Sequence, residues 1–79
     1  MLKLKNIKRN NGLITANYDP EGTGLLGFIS LDQKTGNVVE GRASKYDEDM
    51  PTHLQHGITA LQKIRNFDDL PEEKTVMWY

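Results

Sequence analysis

No cysteine occurs among the 79 residues, which excludes a disulfide framework and any thiolate metal centre. Aromatic residues are few, at 8%, and none interleaves with the basic residues of the N-terminal segment as in a typical single-strand stacking platform. Neither sign of charge dominates, with ten lysines and arginines against eleven acids, so the chain lacks the overall electrostatic footprint of a protein that coats nucleic acid or anionic membrane. No apolar run approaches the roughly 18 residues of a membrane span, and Met1 to Asn6 contains no apolar core of a signal peptide. These absences lead us to expect a soluble cytoplasmic protein.

Nucleotide and nucleophile motifs are missing too. There is no G-x-G-x-x-G or G-x-x-x-x-G-K-[ST] loop, and the two serines, Ser30 and Ser44, lie outside any G-x-S-x-G elbow. Gly22-Thr23-Gly24 has the chemistry of a turn. A chain of this length forms one domain, residues 1–79, that buries only roughly 60% of its unfolded surface. Self-association is a natural supplement to so thin a core.

What is present reads as alternating strands. The run Gly24-Leu25-Leu26-Gly27-Phe28-Ile29-Ser30-Leu31 is apolar on both alternating faces, and we expect it at the centre of a sheet with cover above and below. Asn11-Gly12, between Leu2 to Arg9 and Leu13 to Tyr18, predicts a tight hairpin turn. Strict alternation outward from that turn throws Leu2 and Leu4 to the wrong face, so a β-bulge near Lys5-Asn6 is expected to return them. Asp32 to Asn37, with Gly36 in a left-handed position, predicts a second hairpin into Val38 to Ala43. Pairing Asp32 with Asn37 sets Phe28 opposite Gly41.

Ser44 to Met50 is a polar connection. A helix follows from Pro51, with capping-box spacing at Thr52 and Gln55 and an apolar stripe of Leu54, Gly57, Ile58, Leu61 and Ile64. Gly57 within that stripe implies close approach of helix to sheet, over Phe28. Lys74 to Tyr79 reads as a closing strand, either parallel to the fourth or antiparallel to the first. The expected fold is a small α+β domain in the order ββββαβ, mostly antiparallel, with one amphipathic helix on a face.

Three groups of residues are candidates for function. Trp78, Tyr79 and Tyr18 are the aromatic candidates for a protein-binding surface. Lys3, Lys5, Lys8 and Arg9 make the first hairpin locally basic without an acid, the feature a nucleic-acid-associated protein would use. His53 and His56 stand three apart on the expected helix, with Asp49 upstream, the beginnings of a metal site. With no third ligand at fixed spacing, the metal-dependent reading ranks last. The leading expectation is a non-catalytic protein-binding or accessory module, homodimeric through an apolar face or a free edge, needing no cofactor. Nucleic-acid association is the alternative.

Overall fold

The computed structural model describes residues 1–49 and 51–77. Five strands form an antiparallel sheet, and a helix packs across one face of it. The strands are β1 (Leu2–Asn10), β2 (Leu13–Pro20), β3 (Gly27–Asp32), β4 (Val38–Arg42) and β5 (Lys74–Val76), and the helix α1 is Thr52–Ile64. Their spatial order is β4-β3-β2-β1-β5. The fold class is the expected one, and β5 takes the antiparallel place beside β1, with Leu2 opposite Val76 and Leu4 opposite Lys74.

The first hairpin turns at Asn11 and Gly12, with φ of 51° and 78°, the positive values a two-residue turn of matching twist requires. Pairing shifts between Lys5 and Lys8: Lys5 faces Asn17 but Lys8 faces Thr15. Asn6, at φ 54°, is the additional residue. This bulge puts Leu2, Leu4 and Ile7 together in the core with Ile14, Ala16 and Tyr18, as the alternation pattern demands. Asparagine suits the position because its short polar side chain tolerates the left-handed region, and here its amide donates to Asn17 Oδ1 at 3.0 Å.

The second hairpin closes with Asp32 N–H donating to the Asn37 carbonyl at 2.9 Å, but the register beyond it differs from the expectation. Leu31 faces Val38 while Ser30 faces Glu40, so Val39 is bulged out. Phe28 therefore stands opposite Arg42, and Ile29 opposite Gly41. The glycine that lies beneath an aromatic ring is Gly27, covered by Tyr18.

Two further expectations need correction. The strand built from the apolar run 24–31, β3, has neighbours on both sides as expected, but the middle strand is β2, because β5 extends the sheet beyond β1. Leu25 and Leu26 precede β3 and are exposed, so the apolar run contributes less strand than its length suggests. Nor is the second face of the sheet covered by apolar packing. The strand registers place Lys3, Lys5, Lys8, Thr15, Asn17, Phe28, Glu40 and Arg42 there, and a polar face of this kind can stand in water.

Helix α1 lays Gly57, Ala60, Leu61 and Ile64 on the core, with Leu54 and Ile58 at its margin. Gly57 does mark the close approach, over Ile29 and not Phe28. A Cβ there would lie 3.0 Å from Ile29 Cδ1 and 3.7 Å from Leu4 Cδ2. Gln62 donates to the Gly36 carbonyl at 2.9 Å. None of the helices among the described residues is long and apolar enough to cross a membrane.

Candidate functional site

The densest polar chemistry gathers where α1 begins. Thr52 and Gln55 form no capping box: Pro51 is the N-cap residue and makes no side-chain cap bond. Two of the first turn's donors, the His53 and Leu54 amides, are satisfied from outside the helix. Ser44 starts a 3-10 turn, Lys45–Asp47, by accepting from Tyr46 N–H, and the turn drives Asp47 inward until its side chain is 2% exposed. One Asp47 oxygen, Oδ1, accepts from His53 N–H at 3.3 Å and lies 3.0 Å from His53 Nδ1. The other, Oδ2, accepts from Leu54 N–H at 2.8 Å and from the Tyr18 hydroxyl at 3.0 Å. A buried carboxylate is tolerated here because it accepts from two backbone amides and the Tyr18 hydroxyl and because it sits at the positive end of the helix dipole.

The chain of contacts extends both ways. Tyr18 accepts from Ser44 N–H at 2.7 Å, and Ser44 Oγ donates to the Leu25 carbonyl. Burial pushes the Tyr18 hydroxyl up to about 12, and its bond to Asp47 adds to that. On the outer side His53 Nε2 meets Glu21 Oε2 at 3.0 Å, and the Met1 ammonium donates to the same oxygen at 2.7 Å. Tyr46 stands edge-on to the His53 ring, with centroids 5.3 Å apart. The cluster thus joins the start of β1, the end of β2, the segment before β3, the 3-10 turn and α1.

The hydrogen bond from His53, and then the one from Met1, hold Glu21 down to about 2 from 4.5. Protonation of Glu21 in the folded protein costs those bonds, whereas in the unfolded chain it does not. Acid therefore favours unfolding through this group: its contribution is complete above pH 4.5 and is lost as the pH falls towards about 2. Thermal melts of the wild type and of Glu21→Gln should differ near neutrality, with the gap closing across that acid window. A constant gap would detach Glu21 from the cluster's stability.

The polar groups of the cluster are taken up by one another. A carboxylate oxygen lies 3.0 Å from each nitrogen of His53. The Ser44 hydroxyl is committed to a backbone carbonyl, and the Tyr18 hydroxyl is buried with its ring.

The residues singled out from sequence are dispersed. Tyr18 belongs to the interior and presents no surface to a partner. Trp78 and Tyr79 lie outside the described residues. His56 lines a groove of about 360 Å³ between α1 and β5, together with Lys63 and Lys74. Asp49 borders a separate shallow depression with Pro51, Thr52 and Gln55. Among the described residues no group of three or more His, Asp or Glu side chains is placed to hold a metal ion.

Lys3, Lys5 and Lys8 do share the open sheet face, but Lys3 lies 3.7 Å from Glu73 and Lys5 3.4 Å from Asp19. Arg9 is on the other face and donates to the carbonyls of Arg65 at 3.1 Å and Phe67 at 2.6 Å. It closes the C-terminal end of α1, where a cation is favoured.

Sequence reasoning passed over β4. It is an edge strand, and all five of its residues are exposed. Val38 and Val39 begin it, at 48% and 58% exposure, and Leu25 and Leu26 lie beyond its far end at 44% and 47%. The valine pair beside a glycine-containing turn was a visible signal, but the bulge that leaves Val39 outside the ladder was not. No family model, curated protein or solved structure matches this chain.

Proposed function

We propose that this protein works by binding another protein, without catalysis of its own, and that it takes the partner's extended strand on the outer edge of β4. The observation that carries this reading is the exposure of every β4 residue, Val38 and Val39 among them. Strand addition uses such an edge: main-chain hydrogen bonds supply affinity and flanking apolar side chains add specificity. The opposite edge suits the purpose less, since β5 is three residues long and carries Lys74, a residue type that discourages pairing.

Immobilised full-length protein tests the assignment. Val39→Lys should reduce retention of a specific partner protein at least tenfold, because it places a hydrated charge in the contact, while Lys3→Glu and Lys5→Glu leave retention unchanged. If the lysine reversals abolish binding and moderate salt does the same, the open face and a nucleic-acid partner replace the β4 edge.

A further inference from the structure

The pattern along β4 points to its occupant. We infer that the partner strand is β4 of a second copy of this chain, paired antiparallel about a two-fold axis at Gly41. The inference rests on the strand-addition reading and names the partner it leaves open.

Hydrogen bonding in an antiparallel ladder alternates from one residue pair to the next. Asp32 N–H bonds the Asn37 carbonyl. Counting from there through the Val39 bulge and the pairs Ser30 with Glu40 and Ile29 with Gly41 makes Gly41 a position that does not bond β3. Its N–H and C=O therefore point to the outer edge. Two copies related by a two-fold axis at Gly41 exchange both bonds, N–H to C=O in each direction.

The same register sets the charges. With Gly41 opposite Gly41 of the partner copy, Glu40 of each chain faces Arg42 of the other. Both side chains lie on the open face, where Arg42 Nε is already 2.8 Å from Glu40 Oε2 and the Arg42 guanidinium rests 4.9 Å from the centre of the Phe28 ring. Four charges of alternating sign then form a square across the axis. Centring the axis on Glu40 or on Arg42 would instead oppose like charges, which destabilises a cross-strand pair. On the helix face, Leu54 flanks Gly41, with its methyl carbons 3.9 Å from where a Cβ would stand. The missing side chain leaves room at the axis for the two partly buried leucines to meet. A pairing region that is self-complementary in this way is what an isologous interface requires.

Sedimentation or light scattering of the full chain at micromolar concentration tests the inference. The wild type should show twice the 9.0 kDa chain mass. Glu40→Arg alone and Arg42→Glu alone each place like charges across the axis twice, and the dissociation constant should rise on the order of tenfold. An equimolar mixture of the two variants should recover the dimer, since Arg faces Glu again at both positions. The double exchange E40R/R42E should dimerise by itself, which also shows that the altered strand folds.

A monomeric wild type overturns the inference. So does a dimer indifferent to either single variant, or a mixture that stays monomeric. Strand addition itself survives a monomeric wild type if Val39→Lys still abolishes capture of a different protein, and it falls if neither binding event depends on β4.

Discussion

Replacing Gly27 with alanine should destabilise this fold by about 3 kcal/mol, the upper end of the range for overpacking. A Cβ at that position would lie 2.1 Å from Tyr18 Cε1, 2.6 Å from Tyr18 Cζ and 2.7 Å from the Arg42 carbonyl oxygen. None of these neighbours can yield cheaply. The Tyr18 ring is fully buried and anchored through its hydroxyl, and the Arg42 carbonyl belongs to the β3–β4 ladder. For a domain whose total stability is on the order of 4–12 kcal/mol, the loss is large. The midpoint of thermal unfolding should drop on the order of 15 °C. Gly57→Ala provides the contrast: its new methyl would meet Ile29 Cδ1 at 3.0 Å, the end of a side chain that can give way. A Gly27→Ala protein as stable as the wild type would mean that the Tyr18 ring does not lie over the strand.

Asp47→Ala should be comparably damaging, at about 3 kcal/mol or more, the loss typical of breaking a buried charged network on one side. Truncation strips the acceptor from three donors at once, the Tyr18 hydroxyl and the His53 and Leu54 amides, and removes the carboxylate that faces the His53 ring. It also deprives α1 of the carboxylate that substitutes for a side-chain cap. Asp47→Asn should lose less, because the amide oxygen still accepts while its NH₂ opposes donors. Tyr18→Phe should cost on the order of 1–2 kcal/mol, by leaving Ser44 N–H without its acceptor. Urea unfolding of the three variants would establish the ranking Asp47→Ala, then Asp47→Asn, then Tyr18→Phe. A loss at Asp47→Ala no larger than at an exposed aspartate such as Asp49 would refute the structural role given to the cluster.

Both predictions meet at Tyr18, which its aromatic side chain alone had suggested as a partner contact. The reason it was misread is physical. Alternation along β2 places Tyr18 on the core face, but nothing local to it reveals that Asp47, 29 residues away, receives its hydroxyl. What could be read from the sequence were features whose causes are local. They include positive φ at Asn11-Gly12, the helix stripe with Gly57 against the sheet, and the bulge near Asn6 that Leu2 and Leu4 required. The Val39 bulge left no such conflict between hydrophobic faces, so the β3–β4 register was read one residue out and Phe28 was paired with Gly41 instead of Arg42.

The candidate site was less legible than the fold for the same reason. Lys3, Lys5 and Lys8 form one row because strand alternation resumes after the bulge, but their acids come from elsewhere: Glu73 precedes β5, and Asp19 lies across the hairpin. Arg9 looked like a fourth member of that row and is a clamp on α1. The edge position of β4 was not readable either, since it depends on β5 joining β1 at the far side of the sheet.

With the outer edge of β4 as the working surface, amide hydrogen exchange at Gly41 in the full-length protein is the most direct test. Exchange at Gly41 should be slow under conditions where the protein binds its partner or itself, and faster on dilution to the unbound state, with the amides that bond β3 unchanged. A Gly41 amide that exchanges equally fast in both states, while protection changes on the Lys3, Lys5 and Lys8 strand, would contradict that assignment.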